Sequence, residues 1–300
     1  MYSQIDSNRR KTWILIAIFI GALAAAGWFV GYIYSDTGPF ALIIALAISL
    51  GMTLMSWFAG DKIALSLHGA REITEREQFP ELWNLVENLS ITAGIPKPRI
   101  YVVEDPSLNA FATGRNPEHA SVAVTTGLIR HLEKTELEGV IAHELSHVKN
   151  LDIRVMTIVI VLVGALTILG DFFLRMSLFG GGRREKSNGN AVVMIVGIAF
   201  LILAPIVGEL IKLAVSRKRE YLADASGALL TRYPEGLARA LEKINAAAIP
   251  MKKTSTATNH LWISEPTAQG AGKRLRGLFS THPPIDDRIA KLRGMGNNNE

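Results

Sequence analysis

Two stretches of this chain, Trp13 to Tyr34 and Gly38 to Gly60, hold no charged residue. A hydrocarbon core of about 30 Å takes roughly 20 helical residues, so each stretch is long enough to cross a bilayer. A chain carrying both is read as membrane-embedded rather than as an ordinary soluble domain. Val155 to Gly170 and Ala191 to Gly208 are shorter apolar blocks closed by Asp171 and Glu209, and each is of marginal length for a span. Arg9, Arg10 and Lys11 ahead of the first block, with small residues from Ala24 to Gly27 inside it, also fit a signal peptide. The run exceeds an h-region of about 7 to 15 residues and a second block follows at once, so a retained anchor is expected.

The charge pattern sets the expected orientation. Basic residues precede the first block (Arg9 to Lys11) and follow the fourth (Arg217, Lys218, Arg219), which places both segments in the cytoplasm by the positive-inside rule. Two crossings then return residues 61 to 152 to the cytoplasm. Arg183, Arg184 and Lys186 resist simple alternation, because they lie in the turn between blocks three and four. The net charge of +5 comes without aromatic and basic residues interleaved as in nucleic-acid binders, so no nucleic acid is expected as partner. With no cysteine, disulfides and thiolate-bound metals are excluded, and a reducing compartment is compatible.

The expected organisation is a cytoplasmic N-terminus (1–11), a membrane hairpin (12–60, spans 12–34 and 38–60), a first soluble part (61–152) that holds the motif helix described below, a second hairpin (153–215, spans about 155–174 and 191–212), a second soluble part (216–293) and a tail (294–300), disordered from Gly294. In the first soluble part, Glu81 to Ala93 has helical spacing and stops at Gly94 before Pro96 and Pro98. Arg99 to Glu104, Leu108 to Thr113 and Ser121 to Thr126 alternate as strands. In the second, Ser216 to Leu230, Pro234 to Ala247 and Ile285 to Leu292 read as helices, with Pro250 to Lys273 a polar loop.

His143-Glu144-Leu145-Ser146-His147 carries the chemistry. Positions i and i+4 share a helical face, so His143 and His147 can bind one metal ion while Glu144 projects toward a bound water. Thr135 to Lys149 supplies the helix, with Leu137, Val140, Ile141, Leu145 and Val148 at helical spacing, no Pro, and Gly139 as its only Gly. The plain alternative is a surface helix with two histidines. A catalytic zinc takes three protein ligands and leaves a position for water. With no cysteine, the third must be another histidine or a carboxylate. Glu220 is the best candidate, because Asp224 lies four residues on, placed to accept the second ring N–H of a ligand histidine. An ordinary acidic pair on a solvated helix face is the competing explanation.

The set His143 to His147, Asn150, Asp152, Glu220-Tyr221-Leu222-Ala223-Asp224 and Ser280-Thr281-His282-Pro283-Pro284 resembles the HtpX family of membrane zinc endopeptidases, relatives of the CAAX prenyl-protein endopeptidases. The resemblance extends over almost the whole chain. It implies a mainly helical α+β integral membrane protein, with about four transmembrane helices in two hairpins and a gluzincin-like metallopeptidase domain holding a small sheet. It further implies an inner-membrane protease, active toward the cytosol, in quality control of misfolded membrane proteins, with any chaperone or protease partners unknown. One Zn2+ per chain would be held by His143, His147 and Glu220, with Glu144 as the catalytic base.

Other assignments are expectations of position. His282 is the candidate oxyanion donor, with a loop histidine of no duty as the alternative; Tyr221 is weaker, since it points about 100° away from Glu220. Asn109, Ala110, Phe111 and Ala112, in the run to Gly114, suit an edge strand that a peptide substrate extends, although a buried strand or turn fits the same residues. Asp152 and Asn150 are candidates for supporting the ligands, or for helix capping. Arg288 is a candidate partner for a site carboxylate. His68, His119, His131 and His260 have no companion motif. Two other functions fit parts of the chain: an intramembrane or prenyl-protein type of zinc protease, and a non-catalytic membrane scaffold with a structural metal. Lys134, Glu136, Glu138 and Lys149 around the motif speak against the first, and a glutamate beside an open metal position against the second.

Overall fold

A computed structural model describes residues 2–33, 38–179, 217–247, 249–252, 261–264 and 283–296, with 197 and 258 as isolated positions. The first apolar block as far as Ile33 lies within α1 (Tyr2–Ile33), and the second lies within α2 (Gly38–Leu67). Both helices run past the uncharged blocks, α1 back through Arg9 to Lys11 and α2 on to Leu67. Leu42–Leu67 is the one stretch among the described residues long and apolar enough to cross a membrane by that measure. Large apolar side chains point outward on both helices, among them Trp13, Ile18, Phe40, Ile43, Leu50 and Phe58. An apolar surface of that extent is not left to water in a monomeric protein. The third block lies within α6 (Asp152–Phe179), whose Ile158, Leu162, Ala165 and Leu166 pack on Ile16, Phe19 and Leu23 of α1. Apart from residue 197, the fourth lies outside the described residues.

Between α2 and α6 the chain forms β1 (Arg71–Ile73), α3 (Pro80–Ala93), β2 (Arg99–Val103), β3 (Ala110–Gly114), β4 (Ala120–Thr125), α4 (Thr126–His131) and α5 (Lys134–Lys149). The strand order is β1-β2-β4-β3, with β2 and β4 parallel and both outer pairs antiparallel. Strand β1 and helix α4 are too short to show in the sequence pattern. Period-2 alternation divides the sheet between two cores. Ile100, Val102, Ala110, Ala112, Val122 and Val124 face α3 and α5, whereas Tyr101, Val103, Phe111 and Ala123 meet Ala64 and Leu65 of α2 and Met156, Val159 and Ile160 of α6. The sheet is therefore a layer wedged between the motif helix and the ends of the apolar helices.

Helix α3 ends where Gly94 enters the left-handed region at φ 68°, and Gly94 and Ile95 donate back to Ile91 and Ser90 at 3.1 Å. The motif helix α5 begins at Lys134, one residue before its expected start. Glu136 there accepts from the Glu133 N–H at 2.8 Å and from Lys243 Nζ at 2.7 Å. Helices α7 (Arg217–Thr231), α8 (Pro234–Ala247) and α9 (Ile285–Gly296) close the second part. The expectation of a disordered tail from Gly294 is corrected, since α9 continues through Gly296 on the anchors Ile289 and Leu292. The expected polar loop from Pro250 to Lys273 also needs correction. Its Leu261, Trp262 and Ile263 are buried, with Trp262 edge-on to His68 at 4.8 Å and to Phe111 at 4.5 Å.

Candidate metal centre

Helix α5 is buried along almost its whole length and sets His143, Glu144 and His147 in the interior, where α7 packs against it. The packing is close at Gly227. A Cβ there would lie 3.0 Å from the His143 backbone nitrogen. Seven residues before Gly227 on the same face of α7 stands Glu220. The two helices therefore meet backbone to backbone at one point, which lets a glutamate carboxylate reach the histidines. Gly139, the only glycine of α5, stands one turn before His143 and allows a second close approach, where a Cβ would lie 2.6 Å from the Leu237 nitrogen of α8.

His143, His147 and Glu220 are fully buried, and their donor atoms all lie within 4.8 Å of one another. The Nε2 atoms of the two histidines are 3.2 Å apart, and the Glu220 carboxylate oxygens lie 3.7 Å from His143 and 3.6 Å from His147. The other ring nitrogens are taken up elsewhere. His143 Nδ1 lies 2.9 Å from Asp224 Oδ1, and His147 Nδ1 stands 3.0 Å from Asp152 Oδ2. Carboxylates at both Nδ1 positions select the Nδ1–H tautomer, so both Nε2 lone pairs point at each other and at Glu220. Three electron-pair donors this close repel one another unless a cation lies between them. Two imidazoles and one carboxylate, without sulfur, are a donor set that suits zinc and leaves a fourth position for water.

The electrostatics agree. Burial pulls the His147 imidazole down, yet Glu220, Asp152 and Glu144 outweigh it and push it up to about 9. Three carboxylates thus surround the His147 ring in the interior. Burial likewise works to raise the Asp224 carboxyl, but Arg288 and His143 prevail and hold it down at about 2. Arg288, fully buried on α9, forks onto Asp224 with Nη2 to Oδ1 at 2.7 Å and Nε to Oδ2 at 2.8 Å. Planar bidentate pairing of this kind fixes a carboxylate in orientation as well as charge.

Asp152 opens α6 just after Leu151, which takes a left-handed φ of 59° and turns the chain back beneath the motif helix. Its second oxygen, Oδ1, accepts from Asn8 Nδ2 at 2.8 Å and from Arg219 Nη1 at 3.3 Å. Asn8 also donates to the Asn150 carbonyl at 2.9 Å. The sequence reading missed Asn8, Arg219 and Gly227. A buried asparagine ahead of an apolar span carries no local signal, and the adjacency of Arg219 to Glu220 was the only available hint.

Strand β3 is the sheet edge next to α5. Asn109 pairs with Thr125, so by antiparallel alternation the N–H and C=O groups of Ala110, Ala112 and Gly114 face away from β4. Ala110 is already engaged, its carbonyl by the Ile263 N–H at 3.0 Å and its N–H by Asn109 Oδ1 at 3.2 Å. The Asn109 amide also exchanges bonds with the Ser264 backbone, at 2.9 and 3.2 Å. Phe111 is buried beneath the sheet. Ala112 thus presents the outward main-chain pair that takes no partner among the described residues. Of the remaining histidines, His68 meets Thr258 Oγ1 at 2.9 Å, His119 meets Asn116 at 2.7 Å, and His131 meets the Gly127 carbonyl at 2.8 Å. His260 and His282 lie outside the described residues.

Comparison with known proteins agrees with this geometry. Residues 76–296 match the model of peptidase family M48. The "Protease HtpX homolog" of Tropheryma whipplei (strain Twist) is 47% identical over 297 residues, covering 99% of both chains. That of Dictyoglomus thermophilum is 47% identical over 295 residues, covering 98% of this chain and 95% of its own, and that of Streptococcus uberis is 43% identical over 300, covering 98% and 100%. Among solved structures, the crystal structure of S. mikatae Ste24p is similar in fold, with a TM-score of 0.50 at 16% identity, covering 97% of this chain and 67% of that one.

Proposed function

Because the chain belongs to peptidase family M48, within its HtpX group, and is a metalloprotease, we propose that it is a zinc endopeptidase anchored in the bacterial inner membrane that cuts misfolded membrane proteins from the cytoplasmic side. The observation that carries the metal assignment is the meeting of two Nε2 atoms and the Glu220 carboxylate, with a carboxylate beside each Nδ1. His143, His147 and Glu220 are the proposed ligands. Zinc bound there would supply Lewis acidity, making water more acidic and polarising the scissile carbonyl.

Glu144, buried beside His147, is the proposed base. It takes the proton of the attacking water and delivers it to the leaving amine nitrogen. The developing oxyanion calls for a further donor, and His282 is proposed for it. The substrate backbone is proposed to lie along the outer edge of β3, paired with Ala112 and adjoining Asn109, Ala110 and Phe111.

The proposed topology has four spans in two hairpins. Asn8 bonded to Asp152 supports placing the N-terminus and the catalytic part on one side of the bilayer, and Arg9 to Lys11 next to Asn8 support that side being the cytoplasm. The decisive experiment is Glu144→Gln in the full-length protein. Metal content should stay at that of the wild type, while cleavage of a disordered test polypeptide falls by about 10²–10⁴-fold. Undiminished cleavage would remove Glu144 from the mechanism, and loss of the metal would make it a ligand instead.

A further inference from the structure

Leu50, Leu54 and Phe58 recur every four residues on α2 and so share one face, and Lys62 is the next position in that row. The three apolar side chains are 55%, 49% and 60% exposed. From Leu50 to Lys62 the row rises about 18 Å. At its charged end lies a cavity of about 450 Å³ walled by α2, the start of β2, the β3–β4 turn and Thr157 of α6.

The cavity is cationic. Lys62, Lys97, Arg99 and Arg115 line it, against two acids, Asp61 and Glu118. Asp61 is matched by Arg99 at 2.6 Å. Among the described residues Lys62 and Arg115 take part in no ion pair; the Arg115 guanidinium instead lies 5.2 Å over the Phe58 ring. On its wall, Trp57 stacks with Trp13 of α1 at 6.2 Å, and Arg154 lies 5.4 Å over Trp57. Tryptophans backed by arginines mark the level where hydrocarbon gives way to head groups. The apolar row runs from this level into the bilayer and the cavity opens at it.

We propose that this cavity is a binding site for the phosphate of an anionic glycerophospholipid, with Lys62 and Arg115 holding the phosphate and an acyl chain lying along Leu50, Leu54 and Phe58. Basic pockets between membrane helices on the cytoplasmic side have the charge and position to capture such head groups. A zwitterionic lipid offers the same phosphate but brings its own cation, which Lys62 and Arg115 would repel. The site rests on the membrane reading above and is separate from the metal centre.

The test uses the full-length protein in nanodiscs of phosphatidylcholine and phosphatidylglycerol, transferred to mild detergent, with retained lipids counted by native mass spectrometry. The wild type should retain phosphatidylglycerol in preference to phosphatidylcholine. Lys62→Gln should weaken retention about fivefold and Lys62→Gln with Arg115→Gln about 25-fold. Arg130→Gln with Lys134→Gln, which removes equal charge from exposed positions off the cavity, should change nothing. Lys62 is exposed, so the single variant stays informative if the double variant misfolds. Equal retention by the wild type and Lys62→Gln would overturn the site. Inorganic phosphate that binds the delipidated protein through Lys62, with no phosphatidylglycerol retained, would overturn the lipid as ligand. Release of the protein from vesicles by an alkaline wash would overturn the membrane reading and the site with it; firm insertion without selective retention would overturn the site alone.

Discussion

Asn8 and Asp152 are joined by a 2.8 Å hydrogen bond across 144 residues of sequence, and the far oxygen of Asp152 holds His147 Nδ1 at 3.0 Å. The first helix of the chain thereby reaches the metal centre through one carboxylate. Groups that orient a ligand histidine commonly change metal affinity 10–100-fold when altered. Asn8 acts one bond further out, so Asn8→Ala should weaken zinc binding on the order of 3–10-fold, read by competition with a chelator. A lowered melting temperature at unchanged zinc affinity would show that the bond serves only packing.

Arg288 and Asp224 form a buried ion pair beside His143. Removing one partner strands the other charge in the interior, which costs about 3–5 kcal/mol. Arg288→Met should therefore lower the melting temperature strongly, and adding Asp224→Asn should restore part of the loss, because the two effects are not additive. The double variant should still bind zinc weakly, since His143 loses the carboxylate that sets its tautomer. A double variant less stable than Arg288→Met would disprove the coupling.

Gly227 keeps α7 against the backbone of His143. Gly227→Val should separate the helices and lose most of the bound zinc, whereas Gly227→Ala, with its nearest contact at 3.0 Å, should lose less. Gly139→Ala disturbs α5 against α8 and should lower the melting temperature more than the zinc affinity. Metal analysis and thermal melts on the same preparations separate the two. Full zinc occupancy in Gly227→Val would show that Glu220 needs no close approach.

Tyr101 offers a pH-dependent signature away from the metal. Burial, reinforced by its 3.0 Å hydrogen bond to Glu72, pushes the phenol from 10.0 up to about 12. A folded-state pKa above the unfolded one favours the protonated native state, so this contribution is whole below pH 10 and disappears as pH climbs from about 10 to 12. Melting temperatures across that window should fall more steeply for the wild type than for Tyr101→Phe. Parallel curves would mean that Tyr101 titrates as it does in the unfolded chain.

What could be read in advance is local. The 3.6-residue period around His143 to His147 and Glu220 to Asp224, the alternation of β2 and β4, and the uncharged lengths of α1 and α2 all lie within one helix or strand. Buried apolar spacing reports them directly. Leu261 to Ile263 escaped the reading because three residues seated on a strand edge show no period at all. Helix α9 was read as ending at Leu292, four residues short, because helix ends are the least determined part of a local pattern.

Alone, the order of residues determined that this chain carries long uncharged apolar stretches and a pair of imidazoles on one helical face with a carboxylate between them. Only the tertiary structure decided which carboxylates meet those imidazoles. Packing at Gly227 delivers Glu220, Arg288 turns Asp224, and the first helix steadies Asp152 through Asn8. The physical reason is range: periodicity is set by neighbours a few residues apart, whereas a metal site is assembled by helices whose approach depends on side-chain volume far along the chain. No pattern in the neighbourhood of position 8 announces a partner at position 152.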